Sequence, residues 1–497
     1  MPTAHDRIIF GLKVGQLRQE KGFQFNEFSA ATGMSISYLN EIEKGKKYPQ
    51  PDKIERIAKA LGVSPAFLTS AELTKNLAPV GGLLQSNFLN ELPLDLFGIE
   101  LTKVVEIIAE APSKVNAFIG AMLEIARNYS INEEHFYLAA LRAWQEMHLN
   151  YFESIEQAAA GFSQKHDLLK AGFVEKNQLA EILRQEFGYQ IEFDGLAAFP
   201  MLRKLRAVFV PVGKRLLLDP GLQAGQVAFI LAKELAFNEL GLKERPLSHR
   251  NFQPKSFDEV LNDFKAEYFA VALLVNKSAF VEQMKAYFLE EKWDRGRFLL
   301  GLGAQYRVGP EVIFQRFNLM AHSFGLHKLF YLRLIHETGT DIFEVDKELH
   351  FNRRHLPHAN ASREHYCRRW PPIFLSKNLA KTQGNAAKIE VMADASRIVF
   401  HDTGEEYACL TIARQTGNPT RNVAAFFAME VDENLKNTIR FSHDPAIKTR
   451  TVGVTCERCA VENCAERAKP PIFLERKKER DATESVLKDL LKNGGPA

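Results

Sequence analysis

The chain lacks any apolar run long enough to span a bilayer, which takes roughly 20 residues. Its first ten residues contain neither a cationic start followed by an apolar stretch nor a small-residue cleavage site, so no secretory signal is expected. We therefore expect a cytoplasmic protein.

The sequence also has little net charge. Its 64 Lys and Arg residues are balanced by 61 Asp and Glu, which gives a formal charge of +3. Such a balance excludes a molecule that binds nucleic acid or membrane surfaces over its whole surface. Any basic patch must be local.

Cysteine is scarce. There are five cysteines in 497 residues, and three of them lie between Cys456 and Cys464. An odd and clustered set fits a reducing compartment better than a disulfide framework. Clustered thiols in that setting suggest a bound metal.

The remaining composition is that of a folded chain, with 46% hydrophobic and 25% charged residues. The length predicts about three or four domains. Hydrophobic periodicity indicates a multidomain protein, mainly α with α+β parts. The predicted segments are a small helical module at 1–70, a linker at 71–85, a helical bundle or dimerisation segment at 86–160, an α+β domain at 161–335, a C-terminal α+β cysteine domain at 336–475 and a charged helical tail at 476–497.

Residues 24–45 have the pattern of a helix-turn-helix. Ser29 is small where two helices approach, Gly33 suits a turn that needs positive φ, and Ser35 can cap the second helix. Leu39 and Ile42 are three apart and are expected to face inward. The pattern resembles the Xre/Cro/repressor-type helix-turn-helix family, from which Phe25 departs, since the family often carries Gln there.

Polar side chains on the second helix are the candidate DNA contacts, while acidic Glu41 and Glu43 weaken the electrostatic case. A helical module that binds protein is the alternative. We expect base contacts from the outward face of the helix and phosphate contacts from the residues around it. The candidate DNA-binding residues are Gln24, Ser35, Ile36, Ser37, Tyr38, Asn40, Lys44, Lys46 and Lys47.

The stretch 224–274 resembles the ImmA/IrrE metallopeptidase family without its ligands. A His-Glu-x-x-His helix in that family supplies two zinc ligands and a general base. Here the matching residues begin with Lys233-Glu234 and end at Phe237, and Lys265 stands where the third ligand is expected. A lysine and a phenyl ring cannot hold zinc, so a non-enzymatic domain is predicted. Lys233 could instead bind an anion or pair with Glu234.

Cys456, Cys459 and Cys464 form a C-x2-C-x4-C pattern that can offer three thiolates to one centre. A fourth ligand could be Cys367 or Cys409, and arginines around Cys367 would favour its thiolate. Four sulfurs suit either zinc or an iron–sulfur cluster.

The whole order of segments is similar to the short-chain fatty acyl regulator family of bacteria. Cys-Arg-Arg-Trp at 367–370 and Val452-Gly453-Val454-Thr455 before Cys456 add to that resemblance. It implies a transcriptional regulator of short-chain fatty acid and central carbon metabolism genes that senses an acyl-CoA, with an Xre-type module, a degenerate IrrE-like domain and a cysteine domain.

The same resemblance implies a 4Fe–4S cluster on Cys367, Cys456, Cys459 and Cys464, with Cys409 left over. Arg368, Arg369 and Arg458 are candidate contacts for the CoA phosphates. A homodimer on a double-stranded operator is expected, with no membrane partner. Two alternatives remain open: an Xre-type repressor with structural zinc, and a regulatory metalloprotease of the ImmA/IrrE type.

Overall fold

The computed structural model of the chain describes residues 4–70, 133–169, 172–248, 254–350, 364–382, 391–416 and 420–493. The predicted linker at 71–85 and residues 86–132 of the predicted helical segment lie outside the described residues. The chain divides into two compact units, residues 1–140 with 255–257, and residues 141–254 with 258–497.

The N-terminal module consists of five helices. They are α1 (Ala4–Glu20), α2 (Phe25–Thr32), α3 (Ile36–Glu43), α4 (Pro51–Leu61) and α5 (Pro65–Thr69). Proline occupies the first turn of α4 and α5, where its missing N–H costs nothing. Gly33 and Gly62 end α2 and α4 in the left-handed region. The turn predicted at Gly33 is confirmed.

One apolar core holds these helices together. Phe10 and Val14 of α1 pack with Phe28 of α2 and with Leu39 and Ile42 of α3. Burial of these faces, rather than the propensity of such short helices, stabilises the module.

The rest of the described chain is α+β. Its helices are α6 (Glu133–Met147), α7 (Glu153–Lys165), α8 (Lys176–Phe187), α9 (Ala224–Glu239), α10 (Phe257–Leu274), α11 (Lys277–Phe288), α12 (Arg297–Gln305), α13 (Pro310–Arg316), α14 (Leu319–Phe324), α15 (Pro371–Thr382), α16 (Glu433–Thr438) and α17 (Ile472–Asn493). Its strands are β1 (Gln190–Glu192), β2 (Ala207–Val210), β3 (Arg215–Leu218), β4 (Leu329–Glu337), β5 (Phe343–His350), β6 (Val391–Phe400), β7 (Glu406–Gln415), β8 (Arg421–Glu430) and β9 (Lys448–Val452). The predicted fold class, multidomain with helical and α+β parts, is confirmed.

A small sheet of three strands precedes α9. Its order is β1-β3-β2, with β1 parallel and β2 antiparallel to β3. Short apolar runs around Ile191, Phe209 and Leu217 form these strands. β2 is an edge strand of this sheet.

A six-stranded sheet forms the C-terminal part, in the order β5-β4-β8-β7-β6-β9. Among the described strands of this sheet, only the β6–β9 pair is parallel. Strand β4 begins at Leu329 and ends at Glu337. The predicted boundary between 335 and 336 therefore lies within this strand, because a continuous apolar run fits a buried strand as well as a helix.

Helix α15 packs on the six-stranded sheet. Helix α17, near the end of the chain, is largely exposed. Leu375 and Leu379 of α15 pack against Ala413 of β7 and Ala424 of β8. The predicted tail at 476–497 lies within and just beyond α17, which begins at Ile472. Within the described ranges, no helix combines the length and apolar character that a membrane span requires.

Candidate functional site

The exposed face of α3 is set by its cap and its buried side. Ser35 accepts a hydrogen bond from the Tyr38 N–H at 3.3 Å, as the cap pattern predicted. Leu39 and Ile42 are fully buried. Ile36 is 43% exposed and Ser37 is exposed, while Tyr38 and Asn40 are half-buried. The helix therefore presents a mixed polar and apolar strip.

The turn before α3 is fixed by Gly33 and Ser29. Gly33 has φ 65°, and its N–H donates to the Ser29 carbonyl at 2.8 Å. The Ser29 hydroxyl donates to the Met34 carbonyl at 2.5 Å. The small side chain at position 29 thus also ties the turn.

Tyr38 lies beside two lysines. Lys53 Nζ is 4.5 Å and Lys47 Nζ 5.6 Å from its ring centroid. Lys47 also pairs with Glu41 at 2.7 Å, and this bond raises the pKa of the exposed lysine. Tyr38 packs against the module core as well, so its role is partly structural.

The other candidate DNA contacts surround α3. Gln24 is the N-cap of α2, and its N–H donates to Glu27 Oε2 at 2.8 Å. Lys44 ends α3 and is half-buried, whereas Lys46 and Lys47 are exposed. These lysines sit immediately after the candidate reading helix.

Glu43 does not belong to the outer surface. It is buried and accepts two hydrogen bonds from Arg18 of α1, at 2.7 and 3.0 Å. Burial raises the pKa of Glu43, and Arg18 opposes that shift. The Arg18 guanidinium stacks on Phe25 at 4.0 Å. Phe25 therefore covers this buried pair, and Glu43 presents no negative charge to a groove.

The peptidase-like helix α9 carries Lys233 in an acidic setting. Lys233 Nζ lies 2.7 Å from Asp263 Oδ1 and 3.6 Å from Glu267 Oε1. Burial opposes its charge, but the two carboxylates raise its pKa. Glu267 also pairs with Lys347 at 3.0 Å. The first ligand position is thus occupied by an internal ion-pair network.

The prediction for Lys265 was wrong. Asp263 and Glu267 face Lys233 from α10 because residues four apart share one helix face, and residue 265 lies between them on another face. Lys265 is half-buried; burial lowers its pKa, and Asp258 partly offsets that effect.

Glu234, the former base position, is 0% exposed. Arg245 Nη2 lies 2.6 Å from Glu234 Oε1, and the Tyr189 hydroxyl donates to Oε2 at 3.1 Å. Burial and the neighbouring Glu234 raise the pKa of Tyr189 to about 12. Phe237, in place of the second histidine, contacts the Arg245 guanidinium at 4.0 Å. Neither Tyr189 nor Arg245 was anticipated, since no sequence spacing joins them to Glu234. His249, a nearby histidine that could replace a missing zinc ligand, lies outside the described residues.

The structure brings the Cys367 and Cys456 segments side by side. The Cys367 N–H donates to the Val454 carbonyl at 3.1 Å, and the Cys456 N–H donates to the His365 carbonyl at 2.8 Å. Tyr366 and Thr455 form the bridge between them. Cys459 packs on Gly453, where an added Cβ would lie 2.8 Å from its sulfur.

Backbone N–H groups point at two of the cysteine sulfurs. The Ala468 N–H points at Cys456 Sγ at 3.4 Å, and backbone N–H groups of Gly453 and Arg369 serve the Cys367 sulfur. Such donors suit thiolates. Cys464 is half-exposed on the same loop, and no described contact joins its sulfur to the others. Among the residues with coordinates described, no three His, Cys, Asp or Glu side chains form a ready metal site.

The expectation that arginines lower the pKa of Cys367 was wrong. Burial raises it to about 11, against the backbone donors. Cys409 is buried in the sheet core, and burial raises its pKa well above the usual value. Cys409 is thus a core side chain.

Arg368 is a poor candidate for CoA phosphates, which corrects its assignment. It is buried, and it donates to Asp341 Oδ2 at 2.9 Å and to the Tyr366 carbonyl at 2.9 Å. Arg458 is half-exposed but pairs with Glu364 at 2.6 Å. Arg369 is half-buried.

A cavity of about 40 Å³ lies between α10, α13 and the sheet. Phe264, Phe314 and Phe427 line it. Three buried polar atoms of its lining have no hydrogen-bond partner within the described ranges: Asn150 Oδ1, Asn318 Oδ1 and the Tyr331 hydroxyl. Unsatisfied buried groups of this kind are uncommon and suggest water or a ligand.

Comparison with known protein families identifies two matching segments of the chain. Residues 14–68 match the helix-turn-helix family, and residues 195–318 match the IrrE N-terminal-like domain. The chain is 22% identical over 496 residues to the HTH-type transcriptional regulator RamB of Mycobacterium tuberculosis, covering 94% of this chain and 95% of RamB.

Two further similarities were found. The uncharacterized HTH-type transcriptional regulator y4dJ of Sinorhizobium fredii is 38% identical over 64 residues, 13% of this chain and 83% of that protein. A solved Mycobacterium tuberculosis transcriptional regulator aligns with TM-score 0.45 and 17% identity over 66% of this chain and 92% of its own. The N-terminal module, residues 14–68, thus matches the helix-turn-helix family, and over nearly its full length the chain is similar to a transcriptional regulator.

Proposed function

We propose that the chain is a sequence-specific DNA-binding regulator without enzymatic activity. The observation that carries this is the capped helix α3, whose Ser37 and Asn40 side chains remain accessible beside Lys46 and Lys47. Side chains of this kind can read base edges while the lysines contact phosphates.

A test begins with selection of a duplex from a random DNA pool by the full chain. The double variant Ser37→Ala/Asn40→Ala should bind the selected duplex at least about tenfold more weakly, since a lost base contact costs about 1–3 kcal/mol. Thr69→Ala, whose hydroxyl bonds only within α5 among the described contacts, is the matched control. Equal affinities of both variants in a band shift would refute the assignment of α3.

We further propose that Cys367, Cys456, Cys459 and Cys464 hold a 4Fe–4S cluster, with zinc as the alternative. The support is the cysteine pattern, the adjacency of the first two segments and the N–H donors at sulfur. Bound there, a cluster would add a redox-sensitive group. Arg467 donates to the Cys456 and Cys459 carbonyls and would hold the loop in place.

The metal and sulfide content of oxygen-free preparations distinguishes the 4Fe–4S cluster from zinc. Cys456→Ser should lose most of the bound metal, while Cys409→Ser should retain it because Cys409 lies in the core. Iron with matching sulfide supports the cluster, and colourless protein with one zinc supports the repressor alternative. Full metal content in Cys456→Ser would contradict both.

We also propose that the effector is a short-chain acyl-CoA and that the regulated genes serve short-chain fatty acid and central carbon metabolism. The support is the family resemblance and the cavity beside Phe427, which has apolar walls and a few polar atoms and whose size suits a few heavy atoms. Arg369 and Arg458 remain candidate contacts for the CoA phosphates. A homodimer on an operator completes the proposal.

The enzymatic alternative is a metalloprotease of the ImmA/IrrE type. The matched domain favours it, whereas Lys233 and Phe237 at the ligand positions oppose it. Zinc-dependent cleavage of a protein substrate that disappears in Glu234→Gln would establish it.

A further inference from the structure

The residues after α9 lie along the free edge of the small sheet. The Phe209 N–H of β2 donates to the Leu247 carbonyl at 2.9 Å, and Val208 forms an antiparallel bridge with Ser248. This stretch, residues 245–248, is therefore joined to β2 by one backbone hydrogen bond and one isolated bridge; we call it the edge segment. Leu247 is 48% exposed, so its backbone rather than its side chain makes the contact.

Arg245 of the edge segment reaches into the pocket over α9. Its guanidinium lies between the rings of Phe209 and Phe237, at 4.2 and 4.0 Å. It pairs with buried Glu234 at 2.6 Å, and its Nη1 approaches the Tyr189 hydroxyl at 3.4 Å. Its buried Nε has no partner in the described part of the chain.

A sheet edge that offers backbone hydrogen bonds, next to a pocket for one side chain, is how many domains bind extended peptides. We propose that β2 and the Glu234 pocket form a binding groove for an extended peptide carrying an arginine, and that the edge segment occupies this groove in cis. A covalently attached occupant has a high effective concentration and excludes a free peptide. The inference stands apart from the proposed regulator function.

The chemistry of the pocket selects the ligand. Glu234 is completely buried and pairs with the Arg245 guanidinium, so a peptide that takes the place of the edge segment should bring a cation of its own. Arginine fits better than lysine because its planar group can stack between two rings and still bond to a carboxylate. The groove should therefore prefer Arg peptides to Lys peptides.

The test uses the full chain and a fluorescein-labelled peptide with the sequence of residues 243–248, Lys-Glu-Arg-Pro-Leu-Ser. Fluorescence anisotropy should show at least about tenfold tighter binding to Arg245→Ala than to the unmodified chain, because the cis occupant has lost its anchor. A peptide with Ala for Arg should bind neither. Arg203→Ala, which removes an exposed arginine paired with Asp219, should behave as the unmodified chain.

Arg245→Ala removes the arginine that pairs with buried Glu234 and could unfold the domain, so Arg245→Lys provides a second measurement. Hydrogen exchange of the stretch 207–210 should be about tenfold faster in Arg245→Lys, and the Arg peptide should restore protection where a Lys peptide does not. Unchanged exchange in Arg245→Lys, no peptide binding by folded Arg245→Ala, or equal binding of the Ala peptide would each overturn the proposal.

Discussion

At the scale of single residues, one buried histidine connects three elements of the C-terminal part. His336 of β4 is buried, stacks on Phe343 at 4.4 Å and lies 3.1 Å from the Ser376 hydroxyl of α15. The Thr340 carbonyl lies 3.2 Å from its other ring nitrogen. The ring thus ties a strand, a turn and a helix while neutral.

This histidine predicts a pH dependence. Burial lowers the pKa of His336 below its ordinary value of 6.5. Below that pH the unfolded chain takes up a proton that the folded chain refuses, so stability falls, by up to about 1.4 kcal/mol per pH unit. Denaturant unfolding measured between neutral and mildly acid pH should show that the free energy of unfolding falls less steeply with decreasing pH in His336→Gln than in the unmodified chain. The exposed His443→Gln serves as control and should keep the original slope.

Residue-scale reasoning from sequence succeeded where the cause was local. Ser35 and Gly33 act through their own backbone, and both behave as predicted. It failed where the partner is distant: nothing in the spacing pairs Arg245 with Glu234, Arg18 with Glu43, or Arg368 with Asp341. Those pairs depend on the tertiary fold.

At the scale of elements, the packing of α1 on α3 is close. A Cβ at Gly11 would lie 2.3 Å from the Ile42 carbonyl oxygen and 2.7 Å from that of Glu43. The two helices approach at this glycine, and α3 is the candidate reading helix. A change in α1 should therefore displace α3.

Gly11→Ala should destabilise the N-terminal module by about 1–3 kcal/mol and weaken DNA binding, because backbone atoms must move. Gly161→Ala in α7 is the matched control, as no atom lies within 4 Å of its added Cβ. That control should be stabilising by about 0.5–1 kcal/mol. Thermal unfolding and band shifts would measure both; a neutral Gly11→Ala would contradict the close packing.

The two main helices of the peptidase-like domain, α9 and α10, begin and end within the stretch 224–274 that resembles the ImmA/IrrE family. The C-terminal sheet was harder to predict. Residues 329–335 are almost continuously apolar and buried, and a run of this kind has no period that separates strand from helix.

At the scale of the whole molecule, an effector can act on DNA binding only through a difference in free energy between two states. If propionyl-CoA changes operator affinity by some factor, the operator must change propionyl-CoA affinity by the same factor. Titration calorimetry with and without the selected duplex should show this equality.

Val271→Leu, which fills the cavity beside Phe314, should reduce propionyl-CoA affinity; unchanged affinity would place the effector elsewhere.

The pairing of β4 with β8 has a consequence for synthesis of the protein. Leu329 lies opposite Met429 in that ladder. The ribosome must therefore synthesise the chain through β8 before β4 can pair with that strand. Until then the apolar strand β4 has one edge without backbone hydrogen-bond partners, and folding intermediates with such exposed edges are prone to misassembly and aggregation. Newly made copies should depend on holdase chaperones during that interval.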